Sequence, residues 1–123
     1  MIFIDYGDKR PIYEQIVERF ENLILSGGLE PNSKMPSVRA LAIELAINPN
    51  TIQKAYTELE RAGYIYSVKG RGNFVREDQS FQNKQLQKLL DAVSSGIKDC
   101  KEAGIALDEI VALAENIYKE DKS

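Results

Sequence analysis

Two short apolar stripes separated by a helix breaker constrain the fold of this chain more than any other feature. The first stripe runs through Val38, Leu41, Ala42 and Leu45, and the second runs through Ile52, Ala55, Tyr56 and Leu59. Both recur at the spacing of an α-helix, and Asn48-Pro49-Asn50 interrupts them. Because two helices joined by so short a turn pack at a steep angle, the pattern predicts a helix-turn-helix.

A β-hairpin is predicted directly after this helix pair. Residues 64–68 are rich in β-forming side chains, and residues 73–75 resume an extended pattern. The turn between them, residues 69–72, reads Lys-Gly-Arg-Gly, and its glycines permit a sharp reversal. Such a hairpin is the wing of a winged helix-turn-helix, so the predicted fold class is α+β with mostly α structure.

An amphipathic helix is predicted before this region. It starts near Pro11, whose missing N–H costs nothing in a first turn, and it ends at the Gly27-Gly28 pair. Residues 2–4 form an apolar run that is interpreted as a small strand against the core, and residues 29–36 are interpreted as a connector.

Two more amphipathic helices are predicted after the wing, beyond a polar linker at residues 77–83. Their apolar residues are Leu86, Leu89, Leu90, Val93, Ile97, Leu107, Ile110, Val111, Ala114, Ile117 and Tyr118. Two isolated helices cannot bury both stripes, so the pattern predicts a four-helix interface between two copies. The predicted domains are residues 1–78, a winged domain, and residues 79–123, a helical dimerisation segment.

The charge distribution favours an anionic partner for one face of the protein. The net charge is −3, which by itself argues against nucleic acid. Between Lys34 and Arg76, however, seven basic residues stand against three acids, so this segment carries +4 and the remainder carries −7. Binding to DNA depends on the local field of one face more than on the total charge.

Composition disfavours several classes of protein. The chain has no His, which removes Ser-His and Cys-His nucleophile pairs and every His-ligated metal site. Cys100 has no partner for a disulfide, no apolar run approaches the ~20 residues that span a bilayer, and the acidic N-terminus is unlike a signal peptide. We therefore expect a cytosolic, non-enzymatic protein with no cofactor, no metal and no membrane partner.

The start of the second helix of the pair carries polar groups typical of a DNA-reading helix. Asn50 and Thr51 are short and polar, and Gln53 lies off the apolar stripe, where a Gln amide pairs with adenine in a major groove. Lys54 suits a phosphate or a guanine. For an isolated helix, Asn50 or Thr51 would be only a cap and Gln53 and Lys54 a solvated face, but the neighbouring helix and basic turn favour DNA contact.

Two further groups are candidates for DNA contact. Arg39 is predicted opposite Leu41, beside the N-cap Ser37, where backbone N–H groups and a guanidinium converge on one phosphate. The alternative is a surface ion pair between Arg39 and Glu44. The second group is the hairpin turn, whose cations suit a narrow minor groove unless they are simply solvated: Lys69, Gly70 and Arg71.

Four segments together resemble the DNA-binding domain of the GntR family of bacterial transcription regulators. They are Pro36-Ser37-Val38-Arg39-Ala40-Leu41-Ala42, Thr51-Ile52-Gln53-Lys54-Ala55-Tyr56-Thr57-Glu58-Leu59, Gly63-Tyr64-Ile65 and Gly70-Arg71-Gly72-Asn73-Phe74-Val75. The similarity covers roughly residues 11–75. It implies DNA contacts by Arg39, Asn48, Pro49, Asn50, Thr51, Gln53, Lys69 and Gly70.

The chain departs from the usual pattern of that family in two ways. Many members carry Arg where this chain has Pro49 or Gln53, so we expect an operator that favours A·T over G·C at those points. Only about 45 residues follow the wing, which resembles the short YtrA-like branch of the family. In that branch such helices form the homodimer interface, and members are often repressors of transporter operons.

These observations favour a sequence-specific, homodimeric repressor that binds double-stranded operator DNA. The alternative is a winged-helix protein-interaction module without specific DNA binding, against which Lys54, Lys69 and Arg71 argue. A small enzyme is the least favoured reading. A small-molecule effector of unidentified chemistry is left open, with residues 77–83 as the hinge through which it would act.

Overall fold

The computed structural model of the chain describes residues 2–120 and contains, within them, five α-helices and one two-stranded antiparallel sheet. The elements are α1 (Ile12–Ser26), α2 (Val38–Leu45), α3 (Pro49–Arg61), β1 (Ile65–Val68), β2 (Gly72–Val75), α4 (Gln79–Glu102) and α5 (Leu107–Glu120). The predicted mixed, mostly helical fold class is confirmed. None of the helices in the described range is long and apolar enough to span a membrane.

The chain divides into two compact units, residues 1–82 and 83–123. Residue 1 and residues 121–123, which the predicted domains include, lie outside the described residues. In the first unit, α3 packs on both α1 and α2. The buried residues of α1 and α3 recur three or four positions apart, and the rings of Phe20 and Tyr56 meet edge to face with centroids 5.8 Å apart.

The segment before α1 is not a strand, so the prediction for residues 2–4 is wrong. Ile2 is buried and Phe3 is 84% exposed, yet no neighbouring strand pairs with them among the described residues. The segment is held instead by the buried side chain of Gln15. Its Oε1 accepts from the N–H of Asp5 at 2.9 Å, and its Nε2 donates to the carbonyl of Asp5 at 3.0 Å. One amide thus satisfies backbone groups that a sheet would otherwise pair.

Both helices of the pair begin at side-chain caps. Oγ of Ser37 accepts from the N–H of Ala40 at 3.0 Å, which confirms the predicted cap of α2. Asn48 caps α3, since its Oδ1 accepts from the N–H of Asn50 at 2.8 Å, and Pro49 occupies the first turn. The helix therefore begins at Pro49, and the suggestion that Asn50 or Thr51 provides the cap is wrong.

The predicted hairpin is confirmed, and the connector before α2 is attached to it. β1 pairs with β2 in antiparallel register, with Ile65 opposite Val75. Lys34 forms an isolated antiparallel bridge with Phe74, and the N–H of Met35 donates to the carbonyl of Asn73 at 2.8 Å. The connector thus serves as a third extended segment beside β2 and ties the base of the wing to the start of α2.

The predicted linker at residues 77–83 is helical over most of its length, because α4 begins at Gln79. Oδ1 of Asp78 accepts from the N–H groups of Ser80 at 3.0 Å and Phe81 at 3.3 Å, as a helix cap does. The ring of Phe81 packs edge to face on that of Tyr64, with centroids 5.1 Å apart. The polar composition of residues 77–83 suggested a loop, but the cap at Asp78 and the contact of Phe81 with Tyr64 stabilise a helix there.

The second unit contains most of α4 and all of α5. Its apolar side chains are mostly exposed, and no residue of α5 is buried. Relative exposure is 57% for Leu89, 59% for Leu90, 57% for Val93 and 52% for Ile117. These two helices border an open apolar groove of about 520 Å³ lined by residues of both, among them Val93, Ile97, Ile110 and Ile117.

Candidate nucleic-acid interface

The residues that the sequence singled out for DNA contact are accessible to a ligand. Apart from Thr51, which is half-buried, all of them are exposed: Ser37, Arg39, Asn48, Pro49, Asn50, Gln53, Lys54, Lys69, Gly70 and Arg71. Exposure agrees with a binding role but equally with a solvated surface, so the partners of each side chain decide what it can do.

At the start of α3, capping and packing leave a polar edge free. Asn48 uses Oδ1 for the cap, and Ile52 is fully buried beneath it. Nε2 of Gln53 donates to Oγ1 of Thr57 at 3.3 Å along the exposed face of α3. That bond uses one of the two amide donors, so Gln53 still offers an acceptor and a donor, the pair that adenine requires.

Arg39 is available for an anion. The alternative of an ion pair with Glu44 is not observed, since within residues 2–120 Arg39 takes part in none of the ion pairs or side-chain hydrogen bonds. It lies in the first turn of α2 beside the cap residue Ser37. An unpaired guanidinium at a helix N-terminus, where backbone N–H groups also face outward, suits a phosphate.

A buried tyrosine of α3 fixes the backbone just before α2. The hydroxyl of Tyr56 donates to the carbonyl of Pro36 at 2.7 Å, and its ring is buried against Phe20. Burial raises the pKa of the Tyr56 hydroxyl well above its ordinary value, so it stays a neutral donor. The recognition edge of α3 and the N-terminus of α2 are therefore positioned by one side chain.

The wing presents its cations at a tight turn. The N–H of Arg71 donates to the carbonyl of Val68 at 2.9 Å, and Gly70 adopts a left-handed φ of 79° that favours glycine. Gly72 also has a positive φ, and a Cβ there would meet Cε of Lys34 at 3.2 Å. In the described part of the chain the side chains of Lys69 and Arg71 make no hydrogen bond or ion pair.

Sequence reasoning missed one contact of this surface. Nζ of Lys54 lies over the ring of Tyr13 on α1, 3.9 Å from its centroid. The two residues border a shallow depression with Pro11, Ile12, Asn50 and Thr51. No local signal predicts this pair, because it depends on how α1 packs against α3.

A helix pair whose second helix exposes a polar face, followed by a basic hairpin, defines this chain as a winged helix-turn-helix protein of the DNA-binding class. Residues 12–75 match the family model described as "Bacterial regulatory proteins, gntR family". The chain belongs to the GntR family of bacterial regulatory proteins.

Individual relatives agree with this assignment. The chain is 38% identical over 112 residues to the HTH-type transcriptional repressor YtrA of Bacillus subtilis (strain 168), covering 89% of this chain and 86% of that protein. A GntR family transcriptional regulator from Listeria monocytogenes superposes with a TM-score of 0.74 at 35% identity, covering 89% and 96% of the two chains.

One solved structure that is similar to this chain is a complex with an operator. AraR(DBD) in complex with operator ORE1 superposes with a TM-score of 0.52 at 31% identity, covering 61% of this chain and 92% of that one. Together with the named transcriptional repressors and regulators among the relatives, it makes this chain a DNA-binding transcription regulator rather than an enzyme.

Proposed function

We propose that the protein is a homodimeric repressor that binds a two-fold operator through α3, the start of α2 and the wing. The observation that carries the proposal is Arg39, an exposed guanidinium without a protein partner in the described residues, beside the exposed polar start of α3. An operon that includes transporter genes is the expected target.

The proposed contacts divide into two kinds. Gln53 reads adenine in the major groove, and Asn50 and Thr51 approach base edges at the helix start, together with the turn residues Asn48 and Pro49. Arg39, Ser37 and the wing residues Lys69, Gly70 and Arg71 contact the backbone or the adjacent minor groove. Because base readers are few and uncharged, backbone contacts and pairing of two copies supply much of the affinity.

Dimerisation is proposed through residues 79–123, with residues 1–78 as the DNA-binding domain. The support is the apolar surface that α4 and α5 leave uncovered, including Leu89, Val93 and Ile117. A second copy would cover these side chains in a four-helix arrangement. It would also place two α3 helices for successive major grooves, about one turn of DNA apart.

Any small-molecule effector is proposed to act on the C-terminal helices. The groove between α4 and α5 has an apolar lining, so it suits a small apolar ligand wherever a second copy leaves it open. The hinge hypothesis for residues 77–83 is revised, since α4 starts at Gln79 and a hinge there would have to unwind helix. A metabolite panel that changes neither the melting temperature nor DNA affinity would exclude such an effector.

The test uses a duplex that the wild-type protein selects from a random pool and a shuffled duplex of the same composition. We expect Arg39→Ala to weaken both complexes, whereas Gln53→Ala lowers the preference for the selected duplex by about 1–3 kcal/mol. Lys98→Ala, an exposed charge removed from α4, serves as control. Failure of the wild-type protein to select any duplex would refute specific operator binding and favour a protein-interaction module.

A further inference from the structure

Lys54 and Tyr13 form a cation–π contact between the recognition helix and α1. The ammonium Nζ stands 3.9 Å from the ring centroid, although Lys54 is exposed and its side chain is long. A solvated lysine samples many rotamers, so a ring at this distance restricts where the charge lies.

Arg61 and, more weakly, the charge of Lys54 lower the pKa of the Glu58 carboxyl, but no carboxylate among residues 2–120 forms an ion pair that would fix the position of Lys54. Glu58 lies one turn further along α3, the usual distance for a helical ion pair with Lys54. Glu58 is bound by Arg61, however, at 2.8 Å. Among residues 2–120, Lys54 forms no ion pair, so its ammonium donors are available on the side away from the ring.

The contact lies beside residues already expected to meet DNA. Lys54 and Tyr13 border a depression whose other lining residues include Asn50 and Thr51 at the start of α3. The depression is therefore polar and cationic on its α3 side and aromatic on its α1 side. An anion with several acceptor oxygens, such as a backbone phosphate, fits this combination better than a base edge, which needs donors and acceptors in one plane.

We propose that Tyr13 is a positioning residue that holds the Lys54 ammonium against one phosphate of the operator backbone. The proposal rests on operator binding by α3 and deepens it. Lys54 thereby supplies affinity and register without reading sequence, and Tyr13 acts only through Lys54. Holding the ammonium in place before binding reduces the rotamer freedom that is lost when the phosphate arrives.

The experiment is a double-mutant cycle measured on the selected and the shuffled duplex over a range of salt concentrations. The variants are Lys54→Met, Tyr13→Leu, the double variant and Tyr13→Phe, which keeps the ring. We expect Lys54→Met to weaken both duplexes by similar factors and to reduce the slope of log affinity against log salt by about 1. Tyr13→Leu should weaken binding about two- to fivefold, as loss of an exposed cation–π contact does.

The decisive comparison is Tyr13→Leu in two backgrounds. It should weaken binding when Lys54 is present and have no effect in the Lys54→Met protein, while Tyr13→Phe stays within about twofold of wild type. Equal melting temperatures of Tyr13→Leu and Tyr13→Phe would show that the fold is intact. If Tyr13→Leu melts lower, binding by all the variants is compared at a temperature at which each of them is fully folded.

Three results would overturn the proposal while leaving operator binding intact. In the first, Tyr13→Leu has no effect on binding in either background. In the second, Tyr13→Leu weakens binding equally in both backgrounds, which would make Tyr13 an independent contact. In the third, Lys54→Met weakens binding to the selected duplex far more than to the shuffled one, which would make Lys54 a base reader. Failure of the wild-type protein to select a duplex is a different result and refutes the proposed function itself.

Discussion

The guanidinium of Arg76 lies over the ring of Phe81, 4.4 Å from its centroid, and joins the end of the wing to the first turn of α4. Nη1 of Arg76 also donates to the carbonyl of Gly63 at 3.2 Å, and Nη2 donates to Oδ2 of Asp78 at 3.0 Å. One side chain therefore connects the end of α3, the end of β2 and the cap of α4. These contacts attach the first turn of α4 to the rest of the first unit.

The aromatic anchor of α4 is tested by Phe81→Ala. We expect the free energy of unfolding to fall by about 1–3 kcal/mol, because the edge-to-face contact with Tyr64 and the packing under Arg76 are lost. Urea unfolding at one protein concentration measures the change. Phe3→Ala, at a ring that is 84% exposed, is the matched control and should change little. Equal losses for both variants would contradict an anchoring role.

The buried amide of Gln15 is tested by Gln15→Leu. The substitution leaves the backbone N–H and carbonyl of Asp5 without their partner, and we expect a loss of about 1–3 kcal/mol in the free energy of unfolding. The exposed Gln87→Leu should have almost no effect. Faster amide exchange at Asp5 in the Gln15→Leu protein would show that the segment itself is released, and unchanged exchange would argue against this account.

The cap of α4 predicts a pH dependence. Hydrogen bonds from Ser80 and from the backbone N–H of Phe81, with the charge of Arg76, lower the pKa of Asp78 below its ordinary value of 3.8. The folded state therefore prefers the ionised carboxylate. Its stabilising contribution is present above 3.8 and is lost as the pH falls through the lower pKa of the folded state.

Urea unfolding of wild type and Asp78→Ala at a series of pH values checks this dependence. The difference in stability between the two proteins should be constant near neutral pH and shrink in acid. A difference that grows as the pH falls would reverse the sign and refute the assignment. Arg76→Gln should raise the pKa of Asp78 toward its ordinary value, because it removes the adjacent positive charge.

The exposed stripe of α4 is tested by Val93→Glu. If a second copy covers this stripe, the new charge is buried on association, and we expect a dimer in wild type and a monomer in the variant by sedimentation. Ser95→Glu introduces the same charge at an exposed position roughly opposite Val93 around the helix and should leave the dimer intact. The monomer should lose affinity for a two-half-site duplex far more than for a single half-site. A monomeric wild-type protein would exclude the proposed dimer.

Local patterns were sufficient for the helix pair and the hairpin. The period of the apolar residues, the cap at Ser37 and the glycines of the wing act over a few residues, so the presence of α2, β1 and β2 follows from neighbours in the chain, with the strand bounds correct to within one residue. The cap of α3 did not follow from the same patterns, since Asn48, Asn50 and Thr51 are all suitable cap residues. The fit of Pro49 to the first turn favours Asn48.

Local sequence patterns could not predict contacts between distant parts of the chain. An apolar run at residues 2–4 does not reveal whether a partner strand exists. Here the amide of Gln15 bonds to the backbone of Asp5 in place of a strand. Polar residues at 77–83 do not reveal that Phe81 meets Tyr64. The basic residues predicted to contact DNA are exposed, and the position of the Lys54 charge depends on Tyr13 from another helix.

Sequence alone thus established which segments are helix or wing, which faces are apolar and where positive charge collects, because these properties are local. Only tertiary packing established which groups from distant parts of the chain meet, such as the Lys54 ammonium with the Tyr13 ring of α1 and Phe81 with Tyr64. The ion pairs of Arg61 and Arg76 join residues two or three positions apart, whereas Arg39, Lys69 and Arg71 have no carboxylate partner within residues 2–120. The Lys54 and Phe81 contacts depend on distances between side chains that exist only after the helices have packed.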